Sequence, residues 1–265
     1  MHLTHIVAAT DESDGGRQAV WTALEVAVQA GARVTVLRVV PFDGNGTHPD
    51  LERLQRWVDS VLPQLDRMPP ISYAVTYGVP GIEIGHFAER ERADLLVLGR
   101  KPRSRMVRLL MGDTADAVAR RSRLPCLFVP PRGARLSRLV VAVDGSERGM
   151  RVLSAADGFA RQVGADLRVL TVEPLHADEP AHLALATPVA RSTRLQSQVR
   201  DTLGQEIEVR RGDAAAQILA AVEERIPDVL VLGCHRGGPA GVIETGSTAR
   251  QVIHTAPCAV LTIPL

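Results

Sequence analysis

Two short constellations in the second half of the chain have residue types and spacings that could do chemistry. Ala142-Val143-Asp144-Gly145-Ser146 follows an apolar run and sets a carboxylate where a strand should give way to a helix. Gly233-Cys234-His235-Arg236-Gly237-Gly238 follows another such run, and thirteen residues past Gly233 come Gly246-Ser247-Thr248, ahead of a helical stretch. A glycine directly after a strand lets a ligand approach the backbone closely. Free N–H groups and a hydroxyl at a helix start suit a phosphate. The chemistry indicated is therefore recognition of an anionic ligand, with Arg236 as a candidate phosphate contact and His235 read as a solvated loop side chain. Asp144 has a plain alternative, since Asp is also a favoured helix N-cap.

Those residues have counterparts in the first half. Asp11 and Asp144, Ser13 and Ser146, Gly31 and Gly164, Val39 and Val172, and Pro41 and Pro174 are each separated by 133 positions. After one insertion the separation is 134, and it relates Gly78 to Gly212, Asp94 to Asp228, Gly99 to Gly233 and Gly112 to Gly246. So long a period means a duplicated domain, not a solenoid. The 265 residues then divide into two units, 1–133 and 134–265, hinged at Pro130-Pro131-Arg132-Gly133-Ala134.

The elements that must position these residues alternate. Short β-branched or Leu-rich runs are predicted as strands near His5–Ala9, Val34–Val39, Ser72–Tyr77, Asp94–Leu98 and Cys126–Val129, with helices between them, which is the pattern of a parallel sheet covered on both faces. Asp11-Glu12-Ser13 signals a helix start and Gly31 its end. Gly164 does the same in the second unit. His176–Pro188 is a loop or broken helix. In such sheets ligands bind beyond the carboxyl ends of the strands, where the strand order reverses. The two constellations above fall at those ends.

Composition narrows the partners. With 45% apolar and 23% charged residues, the chain is an ordinary globular one. A net charge of +1 and 3% aromatic residues leave neither a global field nor a stacking platform for nucleic acid. The basic run from Arg100 to Arg108 reads as a solvated face. No apolar run approaches the ~20 residues of a membrane span, the N-terminus does not read as a signal peptide, and the expected location is the cytoplasm. Cys126, Cys234 and Cys258 have neither metal-site nor disulfide spacing and read as buried thiols. There is no P-loop, no H-E-x-x-H and no G-x-S-x-G, so no catalytic residues and no metal ligands are nominated.

In its glycines the chain resembles the universal stress protein family, whose members carry after the fourth strand a glycine, two residues, a second glycine, nine residues and then Gly-Ser or Gly-Thr. Gly233 and Gly246-Ser247 keep the outer spacing, although Arg236 stands where the second glycine belongs and Gly237 follows it. Asp144 and the fifth-strand region Pro257-Cys258-Ala259-Val260-Leu261 also match. The resemblance covers both halves. It implies two tandem doubly wound parallel five-stranded sheets flanked by helices, a Rossmann-like fold of the adenine-nucleotide alpha-hydrolase-like type.

The resemblance further implies that ATP or another adenine nucleotide, with Mg2+ as a companion ion, is held by Ala142, Asp144, Val172, Gly233, Arg236, Gly237, Gly246, Ser247 and Thr248. The matching first-unit positions are Ala9, Asp11, Val39, Gly99, Gly112 and Thr114. It implies a pseudo-twofold pair of units joined through Leu127–Pro130 and Ala259–Pro264, with homodimerisation and an unidentified protein partner left open. The first unit departs from the pattern. Pro102 replaces the second glycine and removes a donor, and Asp113 replaces the serine. Two like charges ~4 Å apart cost about 4 kcal/mol at an effective dielectric near 20, enough to weaken binding several hundredfold. The first site is therefore expected to be weaker or empty, unless Arg100–Arg105 or a magnesium ion offsets Asp113. Three readings result: a stress-response nucleotide-binding regulator with at most slow ATP hydrolysis, a nucleotide-independent interaction scaffold, and an enzyme of the wider alpha-hydrolase-like group.

Overall fold

The computed structural model describes residues 1–41, 51–62, 65, 67–100, 114–174, 188–234 and 247–265, with residues 188–191 and 247 described by backbone alone. The first unit runs β1 (His5–Thr10), α1 (Asp14–Ala30), β2 (Arg33–Val40), α2 (Leu51–Val61), β3 (Ile71–Tyr77), α3 (Pro80–Arg90), β4 (Leu95–Gly99), α4 (Thr114–Arg121), β5 (Cys126–Val129). The second repeats it as β6 (Arg138–Ala142), α5 (Glu147–Gln162), β7 (Asp166–Glu173), α6 (Pro188–Leu203), β8 (Glu208–Arg211), α7 (Ala214–Arg225), β9 (Val229–Cys234), α8 (Ser247–Thr255), β10 (Ala259–Pro264).

Helix α1 forms because its small and apolar residues fall on one face, burying Ala19, Val20, Ala23, Leu24 and Ala27. Gly31, at φ 69°, ends it in the left-handed region that glycine enters without steric cost. Its partner α5 is followed by Gly164 at φ 62°. The predicted strand from Asp94 begins one residue later, at Leu95. Asp94 stands just outside, its Oδ2 accepting the Thr4 and His5 N–H groups at 2.8 and 3.0 Å. Of the predicted irregular stretch, residues 176–187 lie outside the described residues, and Pro188 opens α6.

The strand order is β3-β2-β1-β4-β5-β10-β9-β6-β7-β8. Each unit thus contributes five parallel strands, and the order reverses between β1 and β4 and again between β6 and β9. The two five-stranded sheets join through their last strands, as the resemblance implied, β5 pairing antiparallel with β10 at Phe128↔Val260, Leu127↔Leu261 and Cys126↔Thr262. Alternation along the strands explains why the join is well packed. Ile6, Leu127, Leu139 and Leu261 face one layer, Val7, Phe128, Val140 and Val260 the other, and each layer is an apolar cluster spanning both units. Fully burying a side chain such as Phe128 contributes roughly 1.5–3 kcal/mol.

Candidate functional site

Each reversal of strand order opens a cleft at the carboxyl ends of the strands. In the first, of about 320 Å³, Ala9 lies near the end of β1 and Asp11 directly after it, Val39 comes from β2, Gly99 ends β4 and Thr114 opens α4. In the second, of about 250 Å³, Ala142 and Asp144, Val172, Gly233 and Thr248 occupy the same places. Ten predicted positions therefore converge on two clefts. Ser247 begins α8 beside Thr248. Gly112, Arg236, Gly237 and Gly246 lie outside the described residues, as do His235, Pro102 and Asp113.

The local folding that aims each aspartate is the same twice. Ser13 and Ser146 are the N-caps, each hydroxyl accepting an N–H three residues on, from Gly16 at 3.2 Å and Gly149 at 3.0 Å. The aspartates are thus not caps themselves. Asp144 Oδ1 accepts the Ser146 N–H at 3.1 Å and its hydroxyl at 2.7 Å, and Asp11 Oδ1 accepts the same two groups of Ser13. Serine holds the helix and aspartate holds the serine, which leaves each exposed carboxylate fixed at the mouth of its cleft.

Sequence reasoning missed the apolar wall opposite. Pro80 and Ile84 at the start of α3, and Ala214 and Ile218 at the start of α7, close the first and second clefts respectively. The repeated glycines Gly78 and Gly212, at φ 135° and 133°, are the signal that could have found these helix starts. Each cleft is an apolar slot with a carboxylate at one end and a helix start at the other. Such a slot can take a flat heterocycle, a hydroxylated group on the carboxylate and an anion on the helix start.

One expectation changes and one holds. Arg100 was a candidate cation for the first cleft and part of a solvated face, but its guanidinium donates to the carbonyls of Ile253, Ala256 and Cys258 in the second unit. It is spent on backbone elsewhere, because those carbonyls lie at a buried helix end. Cys234, next to the second cleft, is buried, and burial pushes its thiol up to about 12. It is a packing residue, as the sequence suggested. Among the described residues no group of His, Cys, Asp and Glu is arranged to hold a metal ion, and no helix is long and apolar enough to cross a membrane.

The model of the universal stress protein family matches residues 2–130 and again residues 136–264. The chain belongs to the universal stress protein family. It is a tandem member, each match spanning one five-stranded unit of the universal stress protein fold. A universal stress protein of Mycobacterium tuberculosis is 27% identical over 194 residues, covering 66% of this chain and 66% of that protein. One from Methanocaldococcus jannaschii is 30% identical over 136 residues, 47% of this chain and 80% of that protein. Among solved structures, a universal stress protein from Archaeoglobus fulgidus superposes with a TM-score of 0.72 at 20% identity, covering 100% of this chain and 99% of its own. A second, from Pseudomonas aeruginosa, gives 0.74 at 15% identity and covers 99% and 93%. These two likenesses speak for the fold.

Proposed function

We propose that this tandem universal stress protein is a stress-response regulator, working in the cytoplasm, whose second unit binds ATP or another adenine nucleotide with little or no catalysis. We place the seam between units at Gly133. What supports the reading is one convergence: Asp144 after β6, Val172 on β7 and Thr248 in the first turn of α8 meet in a single 250 Å³ cleft with Ile218 opposite. In this arrangement adenine lies against Val172 and Ile218, ribose hydroxyls donate to Asp144, and the phosphates meet the N-terminal turn of α8. Mg2+ arrives with the phosphates, as is usual for this ion. Binding changes the surface offered to a protein partner by favouring the nucleotide-competent state.

The described walls of the first cleft are at least as roomy as those of the second. The expectation of a weaker first site therefore rests on Pro102 and Asp113. Titration calorimetry of ATP with magnesium tests both statements. Wild type should take up about one ATP per chain, and Asp144→Ala and Gly246→Glu should abolish that uptake. No binding at millimolar ATP would remove the nucleotide reading in favour of a nucleotide-independent scaffold, and two equal sites would remove the asymmetry.

A further inference from the structure

The two units differ in how each completes the end of the helix that starts at its cleft. The last carbonyls of any helix lack intrahelical partners. In the first unit the residue directly after α4 is Ser122, and it ties the helix end locally. Its hydroxyl donates to Leu124 O at 3.3 Å and accepts the Leu124 N–H at 3.1 Å, whereas the backbone bond at the helix end is common to both units, Ser122 N–H to Val118 O and Ala256 N–H to Val252 O each at 2.8 Å. In the second unit the residue directly after α8 is Ala256, which has no polar side chain to do this.

Arg100 does it from the other unit. Its Nη1 donates to Ile253 O at 2.5 Å, and its Nη2 to Ala256 O at 3.0 Å and Cys258 O at 2.5 Å. One planar guanidinium thereby holds the last turn of α8 and the short path into β10, a geometry that suits the fork of Arg and not the single ammonium of Lys. A cation at a helix C-terminus also opposes the negative end of the helix dipole. The Arg100 backbone is anchored in turn, its N–H bonded to Val129 O at 2.7 Å at the end of β5. A second strut runs beside it: His254 Nε2, in the last turn of α8, lies against Asp116 Oδ1, in the first turn of α4, and Arg120 flanks the same carboxylate at 3.7 Å.

Helix α8 is a rod of nine residues, about 13 Å long, so what fixes its last turn also fixes where its first turn stands in the second cleft. We propose that Arg100, a residue lining the first cleft, is a positioning residue for the anion end of the second cleft, so that neither unit alone builds that site. This rests on the nucleotide reading only for the identity of the ligand.

The test uses the full chain with Arg100→Ala, and with Arg100→Lys as the variant that keeps charge and bulk. Affinities for ATP and for adenosine are measured by calorimetry, binding being assigned to the second cleft by its loss in Asp144→Ala. Arg100→Ala should weaken ATP about tenfold and adenosine less than twofold, because only the phosphates use α8, with Arg100→Lys falling between. Hydrogen exchange on the ligand-free protein should show residues 250–255 losing protection at least tenfold while α4 keeps its own. Equal weakening of ATP and adenosine, or unchanged protection of α8, overturns the proposal. Wild type binding neither ligand would instead remove the nucleotide reading, and hydrogen exchange would still decide the role of Arg100. Should Arg100→Ala fail to fold, the same readouts on Arg100→Lys decide it.

Discussion

At the closed end of the two clefts, the same glycine is held by different neighbours. A Cβ built on Gly99 would lie 2.2 Å from the Gly15 carbonyl oxygen and 2.4 Å from its carbon, whereas one on Gly233 would meet only the side-chain ends of Leu265 and Val152, both at 2.8 Å. The reason lies on the facing helices. Helix α1 presents Gly15 and Ala19 where α5 presents Arg148 and Val152, and the smaller residues let α1 pack more extensively on β4 than α5 does on β9. A duplicated sequence can thus keep a motif and change the contact that makes the motif necessary.

The mouths differ as well. The residue after each aspartate has a left-handed backbone, Gly145 at φ 71° and Glu12 at φ 61°. A non-glycine residue there costs roughly 1–2 kcal/mol. Glu12 is held in place by its N–H bond to Thr10 Oγ1 at 3.0 Å and by Arg53 and Arg38, at 3.1 and 3.6 Å from its carboxylate. The first cleft therefore carries an extra, mostly buried anion beside its mouth.

The comparison can be broken at the glycines. Gly99→Ala drives a methyl into backbone that cannot turn aside and should cost about 3 kcal/mol or more, while Gly233→Ala pushes on mobile side-chain ends and should cost about 1 kcal/mol. Urea unfolding of the two variants measures the difference, and equal midpoints would mean the two clefts are closed alike. At the mouths, Glu12→Gln should cost about 1–2 kcal/mol by leaving Arg38 half-buried beside a neutral amide. Gly145→Ala should cost about 1 kcal/mol by the left-handed penalty alone. The caps should behave identically, Ser13→Ala and Ser146→Ala each losing about 1 kcal/mol. A clear inequality there would show that one aspartate no longer depends on its serine.

The smallest effect concerns Asp94. Although burial raises its pKa, bonds from Thr4 and His5 outweigh that and leave it below the usual carboxylate range. A carboxyl depressed in the folded state adds stability above its unfolded pKa of about 3.9, and that stability is lost as pH falls through the folded value. Asp94→Asn should therefore be less stable than wild type at neutral pH, with the gap closing in acid below about pH 4. A gap that persists unchanged in acid would assign the effect to geometry instead of charge.

The strand positions were legible because buried parallel strands are near-continuous apolar runs, and β5 was read residue for residue at Cys126–Val129. Ten positions implied by the family resemblance line the two clefts because they lie near strand ends and helix starts, which the reversal of strand order brings together. The apolar wall of Ile84 and Ile218 was not, since nothing in the local pattern says which helix start faces which strand end.

By itself the sequence determined the duplication, the α/β alternation and where strands end and helices begin, because periodicity, capping and glycine placement are local properties of the chain. Only the tertiary structure decided the register in which β5 joins β10, a join the resemblance had implied, and that Gly99 is closed by backbone while Gly233 is closed by side chains. It alone sent Arg100 from the first unit to the end of α8 in the second. Those are contacts between residues up to 158 positions apart, and the pairing of such distant groups is set by packing, which no local pattern encodes.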